Sequence, residues 1–150
     1  MEDLTKPQAI SGPFAYNGQK NEIPDAPTGN AHASIQEGFP PITMMPQEAG
    51  GEAPYGQDFN GLGNLLSQFY FFVQNGGQYT FEPEVSDKIG GYPQGAVLSY
   101  YDSTKQAAYT VVSLIPNNTY NFVTNPEYID GEKWKINKGA GTAIQIEYWD

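Results

Sequence analysis

The stretch "IGGYPQGAVLSYYD", Ile89 to Asp102, decides how this chain is read. Two adjacent glycines, a Tyr-Pro and a further glycine precede a run of apolar and aromatic residues. Glycine admits positive φ and proline fixes φ, so the segment predicts a tight, stiffened turn that delivers the backbone into a β-strand. From Tyr79 onward the apolar period shortens towards two. "GAVLSYYDSTKQAAYTVVSLIPNNTYNFV" predicts a strand, a turn at Asp102-Ser103-Thr104-Lys105, a second strand, a turn at Pro116-Asn117-Asn118 and a third strand over Thr119 to Val123. "TAIQIEYWD", residues 142–150, alternates cleanly: Thr142, Ile144, Ile146 and Tyr148 share one face, and Ala143, Gln145, Glu147 and Trp149 the other. It predicts a last strand, hinged at "NKGAGT", that pairs with its own sheet or with another chain.

Upstream, "DFNGLGNLLSQFYFFVQNGG" predicts a helix from Asp58, with Asp58 or Asn60 capping its first turn and Asn75-Gly76-Gly77 stopping it. Phe59, Leu62, Leu66, Phe69 and Val73 recur at alternating spacings of three and four, and Leu65 and Phe72 widen the stripe. A stripe this apolar needs a cover. Gly61 and Gly63 each cost on the order of 1 kcal/mol relative to Ala in a helix, so the first turn is weak alone or lies against another backbone.

Residues 1–57 hold most of the prolines, among them Pro40, Pro41, Pro46 and Pro54, and every proline removes a backbone donor. An extended arm is expected there. Within it "EGFPPITMM" sets Phe39, Ile42, Met44 and Met45 beside Pro40-Pro41, which predicts docking of apolar side chains onto the chain's own core or a neighbouring subunit.

Composition removes whole classes of function. Acidic residues number 17 against 7 basic ones, the net charge is −10, and every basic residue is lysine. Affinity for nucleic acid rests on cationic neutralisation of phosphate, and anionic membranes repel such a chain, so neither partner is expected. No cysteine is present, which excludes disulfides, thiolate metal sites and cysteine nucleophiles. The N-terminus reads as no signal peptide and no run of apolar residues is long enough to span a bilayer, so synthesis and folding in a cytoplasm are expected. At 150 residues a single domain can bury a real core.

Candidates for chemistry are sparse. His32 is the only histidine and lies in the Pro-rich arm, where a loop or packing role outweighs catalysis. Glu82, Glu84 and Asp87 in "FEPEVSDK" read as a solvated turn rather than a calcium site. "GLGNLL" lacks the third glycine and the preceding strand of a nucleotide loop. No cofactor, metal site or enzymatic activity is expected. Aromatics crowd the C-terminal half, and Trp134, Tyr148 and Trp149 are candidate glycan contacts, set against the ordinary preference of sheets and subunit interfaces for such rings.

Beyond these readings the motif order resembles the N-terminal, virion-proximal module of tail-fibre proteins from tailed bacteriophages and their prophage relatives. The matching positions are Gly38, Phe39, Pro40, Pro41, Met44 and Pro46, then Gly50, Gly51, Pro54, Gly56, Asp58, Asn60 and Gly61. Gly76 and Gly77 follow, with Ile89, Gly90, Gly91, Tyr92, Pro93, Gly95 and Ala96. "GQKNEIP" upstream, Gly18 to Pro24, resembles the family's opening, and Gly131 to Trp134 resembles the end of its first β-module. The resemblance implies a virion component: a short fibre base, a collar or baseplate attachment piece, or an adaptor on which another fibre is mounted. It also implies a homotrimer and a location in the virion. The helix stripe then suits burial near a three-fold axis, or else packing on the module's own sheet.

The expected fold is therefore α+β and mostly β. It comprises a Pro-rich extended arm over 1–57, then residues 58–150 as one continuous unit with an amphipathic helix at about 59–75 and a small antiparallel β-module, the whole an intertwined homotrimer. The expected docking residues are Phe39, Pro40, Met44, Met45, Phe59, Leu62, Leu66, Phe69 and Val73. A glycan-binding receptor module is the alternative.

Overall fold

A computed structural model of the chain describes residues 5–137. The terminal strand expected over 142–150, with Tyr148 and Trp149, lies outside the described residues. Contacts group the chain into two compact units, Met1–Gly77 and Gln78–Asp150. The division falls after Gly77, whereas the sequence reading places it before Asp58, because the helix finds its hydrogen-bonding partners in the Pro-rich segment.

The first unit is built on helix α1, Gly56–Gln74. Its end follows the expected stop: Gly77 N–H donates to Phe72 O (2.8 Å) and Gly76 N–H to Val73 O (3.0 Å), which satisfies two free carbonyls of the last turn. Its start departs from expectation. Tyr55 is the N-cap residue and no side chain caps the turn. Asp58 and Asn60 turn instead to the segment upstream. In that segment one-turn 3-10 helices form at Pro41–Met44 and Gln47–Ala49, the first with proline in its opening turn, where the missing N–H costs nothing.

The second unit contains helix α2, Pro83–Ile89, and an antiparallel sheet of β1, Val97–Asp102, β2, Ala107–Ser113, and β3, Trp134–Ile136, in the order β1-β2-β3. Registers pair Tyr100 with Tyr109 and Val112 with Lys135. The β1–β2 turn is the expected one, with Asp102 Oδ1 accepting the N–H groups of Thr104 (2.9 Å) and Lys105 (3.3 Å). Phe81, Tyr92, Leu98, Val111, Phe122 and Trp134 form the core, each worth roughly 1.5–3 kcal/mol of burial.

The structure corrects three expectations here. "FEPEVSDK" is the helix α2, not a solvated turn: Pro83 occupies a first-turn position, Glu84 favours the positive helix end, and Lys88 pairs with Glu84 one turn back (3.2 Å). The third strand is Trp134–Ile136 rather than Thr119–Val123. Asparagines hold the latter segment in local turns, with Tyr120 N–H donating to Asn118 Oδ1 (3.2 Å) and Val123 N–H to Asn121 Oδ1 (2.9 Å), so the backbone has an alternative to a ladder. Finally, helices of 19 and 7 residues against strands of 6, 7 and 3 make the described chain α+β with mixed content, not mostly β.

The glycines of the opening stretch divide the work of one tight connection. Gly90, at φ 75°, ends α2, and Gly91 N–H returns to Ser86 O (2.8 Å). Gly91, at φ 97°, passes so close to Asn117 that a Cβ would strike its carbonyl group. Tyr92 then exchanges both backbone hydrogen bonds with Asn118 (2.9 and 2.8 Å), and Pro93 to Ala96 turns the chain into β1.

Candidate docking face

Helix α1 has two faces, and the surprise lies in which one is covered. Its buried residues are Asp58, Gly61 and Asn64, all small or polar. An extended, proline-interrupted backbone cannot satisfy its own N–H and C=O groups, so it takes partners from a neighbouring element. Residues 8–21 take theirs from α1. Asn21 N–H donates to Gln57 O (2.9 Å), and Asn60 Nδ2 to Gln19 O (2.9 Å). Asn64 Nδ2 donates to Phe14 O (2.9 Å), while Phe14 N–H donates to Ser67 Oγ (2.6 Å). Gln74 brackets Ile10, accepting its N–H (2.7 Å) and donating to its carbonyl (2.9 Å). Tyr70 Oη donates to Gln8 O. Traced back from Asn21 to Ile10, the segment follows the helix from its first turn to its last.

The opposite face carries the predicted stripe, and it faces outward. Phe59 is 51% exposed, Leu66 65%, Phe69 58% and Val73 50%, with Leu62 half-buried among them. Phe39 reaches this face from the Pro-rich segment and stacks on Phe59 with ring centroids 4.5 Å apart. Pro40 beside it is half-buried, and Met44 and Met45 of the same segment are exposed. Along the helix, Leu66, Phe69 and Val73 join Pro7 and Ala9 in lining an apolar groove of about 540 Å³.

A second grouping was not legible in the sequence. Asp58, 2% exposed, accepts hydrogen bonds from Asn21 Nδ2 (2.8 Å), Ala33 N–H (2.8 Å) and His32 Nδ1 (3.2 Å). Burial pushes its carboxyl up, but the bonds from Asn21, Ala33 and His32 outweigh that and hold it below the ordinary carboxylate value. His32 is stacked on Tyr55, centroids 4.0 Å apart and rings within 7° of parallel, so the imidazole is clamped between a carboxylate and a ring. Asn21, Asp58, Asn60 and Gly61 all belong to the motif positions noted above, far apart in the chain and gathered here at one junction. The sequence reading assigns Asp58 or Asn60 to capping the helix, a local duty that leaves no sign of this junction.

The structure removes one candidate. Trp134 is fully buried, and its indole N–H donates to Tyr120 O (2.8 Å), so it presents no ring to a glycan. Its place in the core follows from β3, which packs it among Phe81, Tyr92 and Phe122. Tyr148 and Trp149 lie outside the described residues. Among the described residues no three His, Asp or Glu side chains gather as metal ligands, and no helix is long and apolar enough to cross a membrane.

No protein-family profile matches the chain, and no curated protein matches it either.

Proposed function

We propose that this protein is a structural assembly component of a tailed-bacteriophage virion, a short tail-fibre, collar or baseplate attachment protein that forms a homotrimer and mounts another fibre. The single observation that carries the assembly reading is the inversion of α1. Its polar face is occupied by the chain's own N-terminal segment, while Phe59, Leu66 and Val73 of its apolar face are half or more exposed and Phe39 stacks beside them on Phe59. Exposed contiguous apolar surface of this kind marks interaction sites. The virion setting rests on the motif order from Gly38 to Ala96 and its resemblance to the virion-proximal module of tail fibres. Docking is the mechanism: Phe59, Leu62, Leu66, Phe69 and Val73 supply the apolar area, and a net charge of −10 keeps unassembled copies apart and soluble. Light scattering behind a sizing column, repeated after tenfold dilution, tests it. A trimer mass at both concentrations is expected; a monomer at both would overturn the homotrimer.

A further inference from the structure

Asp58 does more than bind the N-terminal segment. A carboxylate only accepts hydrogen bonds, so His32 must carry a proton on Nδ1 to meet it, and Asn21 must aim its amide nitrogen there. Both residues are thereby fixed with one atom left over, His32 Nε2 and Asn21 Oδ1. Neither atom has a protein partner among the described residues, and in the neutral imidazole both are acceptors. The two residues line an open cavity of about 540 Å³ together with Glu22 and Thr28, whose side chains likewise make no hydrogen bond among the described residues. Glu22, Thr28, Asn21 and His32 thus line one cavity, and the last two are held in place by the buried carboxylate of Asp58.

Such a lining is complementary to a donor-rich cation. Lys20, next in sequence to Asn21, is engaged elsewhere: its Nζ is bound to the carbonyls of Ala15 (2.9 Å), Gly18 (3.4 Å) and Tyr16 (3.5 Å). We infer that the cavity beside His32 receives the cationic head of an arginine or lysine side chain from a partner protein, with Glu22 as its counter-charge and His32 Nε2 and Asn21 Oδ1 as hydrogen-bond acceptors. A net charge of −10 on a chain without arginine favours encounter with a basic partner surface. The site depends on the first unit alone and not on the oligomeric state.

The test uses the full chain at neutral pH, with N-acetyl-arginine methylamide and N-acetyl-lysine methylamide as probes and the norleucine analogue as the uncharged control, followed by nitrogen-resolved NMR. Saturable shifts of the Ala33 backbone amide and the Asn21 side-chain amide are expected with the cationic probes and not with norleucine. Glu22→Gln, at an exposed position, should weaken the better probe about tenfold, the loss of one charge-assisted hydrogen bond, without altering the spectrum of the free protein elsewhere. The proposal is overturned if no saturable shift occurs, if norleucine shifts the same resonances equally, or if Glu22→Gln leaves the affinity unchanged.

Discussion

The carbonyl oxygen of Asn21 lies directly over the α-carbon of Gly61, in the space where any other residue would place its Cβ. This contact explains a glycine in the second turn of a helix, where it weakens the helix taken alone, and Gly63 fits the Phe14 ring in the same manner.

Gly61→Ala follows as a test whose sign separates local from tertiary effects. Helix propensity alone predicts stabilisation of about 1 kcal/mol. The contact with Asn21 predicts net destabilisation of about 1–3 kcal/mol, because the obstacle is backbone and cannot rotate away. Urea unfolding decides between them, and limited proteolysis should show earlier cleavage within residues 8–21.

Leu66→Glu probes the outward face. Leu66 is 65% exposed in the single chain, so the substitution should leave helix content and monomer stability within about 0.5 kcal/mol of the parent. It should nevertheless shift the assembly towards monomer. Circular dichroism and light scattering on the same sample check both halves; an unchanged oligomer mass would remove this face from the interface.

Asp58 contributes to the acid limb of stability. Its carboxyl is held below the unfolded value of about 3.9, so its contribution is fully present above that pH and is lost as pH falls through the folded value. Asp58→Asn should flatten the stability-versus-pH curve below about pH 4. It should also lower stability at pH 7 by about 1–3 kcal/mol, since one donor then faces another. Denaturant midpoints measured from pH 7 down to pH 2.5 test the shape, and parallel curves for parent and variant would contradict the assignment.

Trp134→Ala should cost about 3–5 kcal/mol, the loss of a fully buried ring plus an unpaired Tyr120 carbonyl. Thermal unfolding should register it as a stability defect. A folded, equally stable variant that selectively lost glycan binding would contradict the buried placement.

The sequence alone determined what depends on neighbours a few residues apart. The extent and glycine stop of α1, the Asp102 turn between β1 and β2, the turn at Ile89 to Ala96, and the residues of the apolar stripe from Phe59 to Val73 all follow from local rules of periodicity, capping and φ. So does the absence of thiol chemistry. Tertiary structure decided which face of α1 is covered. Periodicity marks an apolar stripe and implies that it is the buried one, yet an extended segment without internal hydrogen bonds needs partners for its backbone, and only the polar face, with Asn60, Asn64, Ser67 and Gln74, supplies them. The junction of Asp58 with Asn21, His32 and Ala33 was hidden for the same reason, its members being brought together by a chain reversal that no local pattern encodes. Trp134 sits in the core because β3 pairs it into the sheet beside β2, and Thr119 to Val123 leaves the sheet because Asn118 and Asn121 satisfy local backbone groups first, a competition settled only once the rest of the fold has placed them.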